Sequence, residues 1–176
     1  VRLFYLDESG FSPSLPTGYS WSLPGQRKRV RHEYPQGRRV NVLATYEPYG
    51  PAPRLDASPF ERTLTSADLA AYLRERLPAA AVPRVVVLDN GSIHTSKAFK
   101  AEQPALAKSG IALYYLPPYS PELNEIEPVF KQVKHHEMPT RSHTSKAELR
   151  AAVEQGFASY ASRLRPKGDK QSRPGA

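Results

Sequence analysis

Short apolar runs and amphipathic stretches alternate along this chain. Leu3, Phe4, Tyr5 and Leu6 form an apolar run ahead of Glu-Ser-Gly, which predicts a strand over residues 2–11 that ends at Asp7. Residues 39–46, RVNVLATY, have the β-branched content of a second strand, closed by EPYGP. Between them, residues 12–25 carry Ser, Pro and Gly around Tyr19 and Trp21. That composition predicts a turn and then a short strand, continued by residues 27–31 toward a hairpin. Three strands in meander order is the economical reading.

The period then changes. Thr65 has Asp68 three residues on, a capping box, and Leu69, Tyr72, Leu73 and Leu77 follow at helical spacing until Pro78. Val85–Leu88 is apolar throughout, as a strand buried on both faces should be. Residues 95–108 are helical in composition, with Pro104 expected to kink or split the helix and Gly110 to cap it. Residues 111–116 read as the next strand. Ile126, Val129, Phe130 and Val133 then mark a helix whose first turn tolerates Pro128. A last helix starts at Ser145, with Glu148 completing a box and Leu149, Val153, Phe157, Tyr160 and Leu164 along one stripe. Strands first, then alternating helix and strand, predict an α/β fold: a mixed sheet with helices on its faces.

Composition narrows the function. A chain of 176 residues suits one domain with a real core. No apolar run approaches the ~20 residues of a membrane span, and no signal-peptide pattern opens the chain, so a cytoplasmic protein without a membrane partner is expected. The absent initiator Met suggests a fragment or a second reading frame. With no cysteine, disulfides and thiolate metal sites are excluded. The net charge of +8 favours a polyanionic partner. Much of it lies in residues 26–39, where Arg27, Lys28, Arg29, Arg31, Arg38 and Arg39 are candidate phosphate contacts, and in a tail, 166–176, too polar to order itself. Residues 1–165 are then the folded unit.

Three acids stand where chemistry is expected: Asp7 and Asp89 at the ends of predicted strands, and Glu127 at the entry to a predicted helix. If the two strands are neighbours, both aspartates share one sheet edge, and the helix after 111–116 can bring Glu127 there. Carboxylates gathered without a cation repel, and hard oxygen ligands suit Mg²⁺ or Mn²⁺. Two such ions can drive an in-line displacement at phosphorus. Blander readings stand beside each: Asp7 and Asp89 as turn residues, and Glu127 as a first-turn acid complementing the helix dipole. Glu8, Glu122 and Glu125 are rivals, though Glu8 should point to the opposite side of its strand. Asn90 either bonds a ligand carboxylate or shapes its turn, and His94 is a candidate for a supporting contact behind the acids. Tyr19, Trp21 and Tyr119 read as core or hinge packing before base stacking, and His135 and His136 as a solvated helix end.

In this order, LDESGF, VVLDNGSIH and LPPYSPELNEIEPVFK resemble the catalytic core of DDE transposases, most of all the bacterial insertion-sequence branch of the mariner-like superfamily. The third motif is close to that family's Pro-Pro-Tyr-Ser-Pro-Asp/Glu-Leu-Asn-Pro-Ile-Glu signature, the second to its Asp-Asn-x-x-x-His signature. The resemblance spans residues 3–134, and 37 residues lie between Asp89 and Glu127, near the mid-thirties usual for the group. Glu125 stands where a Pro is usual and Phe130 where a Trp is frequent.

The resemblance implies a ribonuclease-H-like (retroviral-integrase-like) fold, with Asp7, Asp89 and Glu127 as catalytic metal ligands for a pair of Mg²⁺ or Mn²⁺ ions. It implies cleavage at transposon ends and transfer of the 3′-hydroxyl into target DNA. The partners would be double-stranded DNA, a second copy forming a homodimer on it, and a companion polypeptide supplying the helix-turn-helix region not found ahead of Val1. An inactive DNA-binding remnant and a nuclease for RNA–DNA hybrids are the competing readings.

Overall fold

The computed structural model describes residues 1–14, 22–26, 29, 39–49, 52–77, 81–138 and 142–165. Five strands form one mixed sheet: β1 (Arg2–Phe11), β2 (Val40–Glu47), β3 (Arg54–Phe60), β4 (Arg84–Leu88) and β5 (Ile111–Tyr115), in spatial order β3-β2-β1-β4-β5. β1, β2 and β3 pair antiparallel as a meander, while β4 joins β1, and β5 joins β4, in parallel. Parallel neighbours need crossovers, and helices supply them. These are α1 (Ser66–Arg76) before β4, then α2 (Ser92–Thr95) and α3 (Lys97–Lys108) before β5. A 3₁₀ turn (Pro121–Leu123), α4 (Glu127–Gln132), a π-helical turn (Val133–Glu137) and α5 (Lys146–Ser162) complete the order.

Alternation along the central strands builds two cores. Phe4 and Leu6 of β1 pack with Leu43, Val86 and Leu88 against Leu69, Leu73, Phe99 and Leu106 of α1 and α3. Tyr5 and Phe11 turn the other way, with Val42, Ala44 and Val87, onto Val129, Phe130, Val133, Val153 and Phe157 of α4, the π turn and α5. Successive side chains of a strand take opposite faces, so Asp7 belongs with Tyr5 and Glu8 with Leu6.

The structure departs from expectation in three places, and one further expectation lies largely outside the described residues. β1 does not end at Asp7. Its parallel pairing with β4 stops at Tyr5↔Val87, but antiparallel pairing with β2 carries it on to Phe11↔Val40. The third meander strand is β3, where Asp56, Ser58 and Pro59 hide the apolar alternation of an edge strand. The short strand expected around Tyr19 and Trp21 falls largely outside the described residues, and residues 22–26 form a turn with Gly25 at φ +79°. Pro104 sits inside α3 without splitting it, and the break falls at Ser96, whose hydroxyl caps α3 by accepting from the Phe99 N–H. Pro104 and Lys100 are both exposed, so water can take the carbonyl that Pro104 leaves without a partner.

Candidate functional site

Because β1 outruns β4, Asp7 lies just beyond the carboxyl end of the strand beside it, and Asp89 follows that end directly. The chain leaving β5 then turns through Pro117–Pro121 and enters α4 at Glu127. Asp7, Asp89 and Glu127 line one open pocket of about 440 Å³, with Asn90, Asn124 and the Pro117–Pro121 turn forming much of its wall.

The three acids are held differently. Asp7 is nearly buried; its Oδ1 accepts from the Glu8 N–H at 2.8 Å and its Oδ2 from Asn124 Nδ2 at 3.2 Å. Burial, with the charge of Glu8 next and those of Asp89 and Glu127 behind, pushes its carboxyl up to about 8, against the Glu8 N–H, which pulls the other way. Asp89 is half exposed, and its Oδ1 accepts from the Gly91 N–H and from His94 Nδ1, each at 2.7 Å. A Cβ at Gly91 would come within 2.9 Å of that oxygen, so a side chain there would push the Asp89 carboxylate from this position. Glu127 opens α4 from an exposed position, and its N–H donates to the Asn124 carbonyl. Among the described residues, Asp89 Oδ2 and the Glu127 carboxylate carry no protein hydrogen bond.

Supporting residues complete the frame. Asn90 donates to the Leu116 carbonyl at 2.6 Å, tying the exit of β4 to that of β5. His94 is wholly buried, with Nδ1 on Asp89 and Nε2 3.1 Å from Glu8 Oε2, close enough for an ion pair but not aligned as a hydrogen bond. Burial alone would lower its pKa, but the two carboxylates outweigh that and raise it to about 8. Glu125 turns away to accept from the Tyr49 hydroxyl at 2.9 Å. Tyr119 is fully exposed at the pocket wall with φ +58°, so it is no core residue. His135 and His136 are exposed.

Two contributors escaped the sequence reading. Asn124 lay inside a quoted motif without a role, yet it is buried against Asp7. Lys134 stands seven residues after Glu127, on the same helical face, and that spacing is the signal that could have found it. Its Nζ donates to Ser9 Oγ at 2.7 Å and lies 5.2 Å from the centre of the Phe11 ring. Burial lowers its pKa, although Glu127 and Asp7 pull it upward.

Of the candidate phosphate contacts, Arg29 and Arg39 are described and both are exposed. Arg39 lays its guanidinium against Gly10, where a Cβ would collide with it. Arg27, Lys28, Arg31 and Arg38 lie outside the described residues, as does the tail from 166.

A divalent cation suits this donor set. Asp7, Glu8 and His94 each offer a ligand atom, all within 4.8 Å of one another, and the free oxygens of Asp89 and Glu127 lie at the pocket. Burial first and the neighbouring carboxylates after it raise the Asp7 carboxyl, and a bound cation would oppose both.

A family model described as DDE superfamily endonuclease matches residues 2–150. Among solved structures, the Mos1 mariner paired-end complex with Mn is 18% identical, with a TM-score of 0.63 over 89% of this chain and 48% of that one. The Mos1 transposase paired-end complex with the left transposon end gives 18% and 0.62, over 89% of this chain and 48% of that one. The catalytic core domain of BIV integrase is 13% identical, with a TM-score of 0.51 over 99% of this chain and 87% of that one. At such identities the likeness is one of fold, the ribonuclease-H-like fold. The chain spans about half the length of the Mos1 chains it matches. No curated protein matches it.

Proposed function

The chain belongs to the DDE superfamily endonucleases, and from that premise we propose that it is the catalytic domain of a metal-dependent DNA transposase. On this reading residues 1–165 are the catalytic core, acting on double-stranded transposon ends and target DNA. One observation carries the proposal: Asp7, Asp89 and Glu127, from three separate segments, line a single open pocket.

Each acid has a share in the work. Asp7, with both oxygens oriented by Glu8 and Asn124, and Asp89, with Oδ1 fastened and Oδ2 free, would hold Mg²⁺ or Mn²⁺ together with Glu127. A pair of such ions, when bound, activates a water or a 3′-hydroxyl and stabilises the leaving oxygen at phosphorus. The open pocket gives a DNA strand access to the acids, and the turn through Tyr119 lies at its wall. In the first step water attacks phosphorus and the bond to O3′ breaks, leaving a 3′-hydroxyl. That hydroxyl then attacks a phosphorus of the target strand, whose own bond to O3′ breaks and leaves a 3′-hydroxyl on the target. Little beyond placed charge is required of the protein.

The test separates chemistry from binding. Asp89→Ala should abolish Mn²⁺-dependent cleavage of duplex DNA and leave salt-sensitive DNA binding within about twofold, because phosphate contacts made elsewhere supply most of the affinity. Equal loss of both activities would sink that division of roles. Binding without cleavage by the unaltered chain would assign it instead to an inactive remnant.

A further inference from the structure

We propose that Glu8 is a positioning residue for the acid cluster, acting through His94 on Asp89. The inference rests on the metal-site reading above and adds to it a residue on the opposite face of the sheet. Asp7 and Glu8 are neighbours on β1, so their side chains part to the two faces. Glu8 lies on the side of α1 to α3, and neither it nor His94 lines the pocket. His94 reaches between the strands. Its Nε2 lies 3.1 Å from Glu8 Oε2, and its Nδ1 lies 2.7 Å from Asp89 Oδ1.

That chain of three fixes a carboxylate. A buried imidazole with a carboxylate at each nitrogen has only one useful ring orientation, and its main chain is pinned by the Tyr115 hydroxyl, which donates to the His94 carbonyl at 2.9 Å. So anchored, His94 joins the Gly91 N–H in occupying Asp89 Oδ1, and only Oδ2 is left for the pocket. Glu8 also donates its own N–H to Asp7 Oδ1. One residue thereby orients both aspartates, one through its main chain and one through its side chain. Groups that orient a metal ligand from behind, by hydrogen bond or by charge as Glu8 does here, typically change affinity or activity by about 10–100-fold when they are lost.

The rival is that Glu8 is itself a ligand, since Asp7, Glu8 and His94 could converge on one ion. Burial of Glu8 Oε2 away from the pocket and the engagement of His94 Nδ1 by Asp89 favour positioning. Calorimetric titration of Mn²⁺ into the full chain, Glu8→Gln, His94→Gln and the double variant distinguishes the two. Melting curves should first show that each variant folds. Positioning predicts that Glu8→Gln weakens Mn²⁺ binding about 10–100-fold, that His94→Gln weakens it at least as much, and that the double variant is no worse than His94→Gln. Unchanged affinity in Glu8→Gln overturns the proposal. So does the same fold-loss from Glu8→Gln when His94 is already replaced, which identifies a direct ligand. Should His94→Gln not fold, crystals soaked in Mn²⁺ give the answer, an ion coordinated by Glu8 overturning the proposal and one held without it supporting it. An unaltered chain that binds no Mn²⁺ in solution or crystals overturns the metal reading itself, a failure distinct from that of Glu8.

Discussion

Asp7 is a carboxylate placed where it is hard to keep ionised without a cation. Its pKa in the folded chain, about 8, lies far above its ordinary value, so the folded state binds this proton more tightly than the unfolded one. The sign follows: the stability linked to Asp7 is fully present below the ordinary carboxylate range and is lost as the pH rises toward 8. His94, also raised to about 8, adds a loss in the same direction between its ordinary value and that pH. In EDTA, Asp7→Asn should therefore melt a few degrees above the unaltered chain at pH 8 and level with it near pH 4, as denaturation across that range would show. A gain equal at both pH values would mean that something other than the charge is responsible. The sequence made Asp7 visible as a candidate because an apolar run led into it. It could not show Asn124 as its neighbour, because that contact bridges more than a hundred residues and depends on how the chain ahead of α4 docks.

At the level of elements, what the chain announces locally is what forms locally. Thr65 caps α1 by accepting from the Asp68 N–H, while Asp68 accepts from the Thr65 N–H at 2.9 Å and also pairs with Arg62. Thr65→Ala should cost about 1 kcal/mol, lowering the melting temperature by about 2–4 °C in a domain of this size. DNA cleavage should be unaffected, since the cap lies outside the pocket wall. A change in cleavage without a change in melting would show that α1 reaches the site. The caps at Ser145 and Gly110 were legible for the same reason, being decided within a few residues, although Glu148 does not close the expected box: its carboxylate accepts from the Thr144 N–H. β3 was not. Its residues are half-exposed and carry a proline, and only pairing with β2 makes them a strand. β1 fills residues 2–11 and does not stop at Asp7, because β2 stabilises residues that no longer touch β4.

Over the whole molecule, the fold gathers negative charge at one end of β1 and β4, while the chain as a whole carries +8. Such a distribution suits a polyanion whose backbone is held broadly and approached by the acids at one point. No helix among the described residues is long and apolar enough to cross a membrane. Phosphate contacts act through counterion release, and the logarithm of affinity falls linearly with that of salt, by about 0.9 per phosphate neutralised on duplex DNA. If Arg27 and Arg29 each take one phosphate, replacing both with alanine should make that slope shallower by about 2 while weakening binding to unrelated duplexes alike. Fluorescence anisotropy across a salt series on two duplexes of different sequence measures both quantities. A loss confined to one duplex would mean that this stretch reads base edges, since phosphates carry no direct sequence information. An unchanged slope would move the cationic contacts to other residues, with Arg39 and Lys134, on either face of the projecting end of β1, the first to replace.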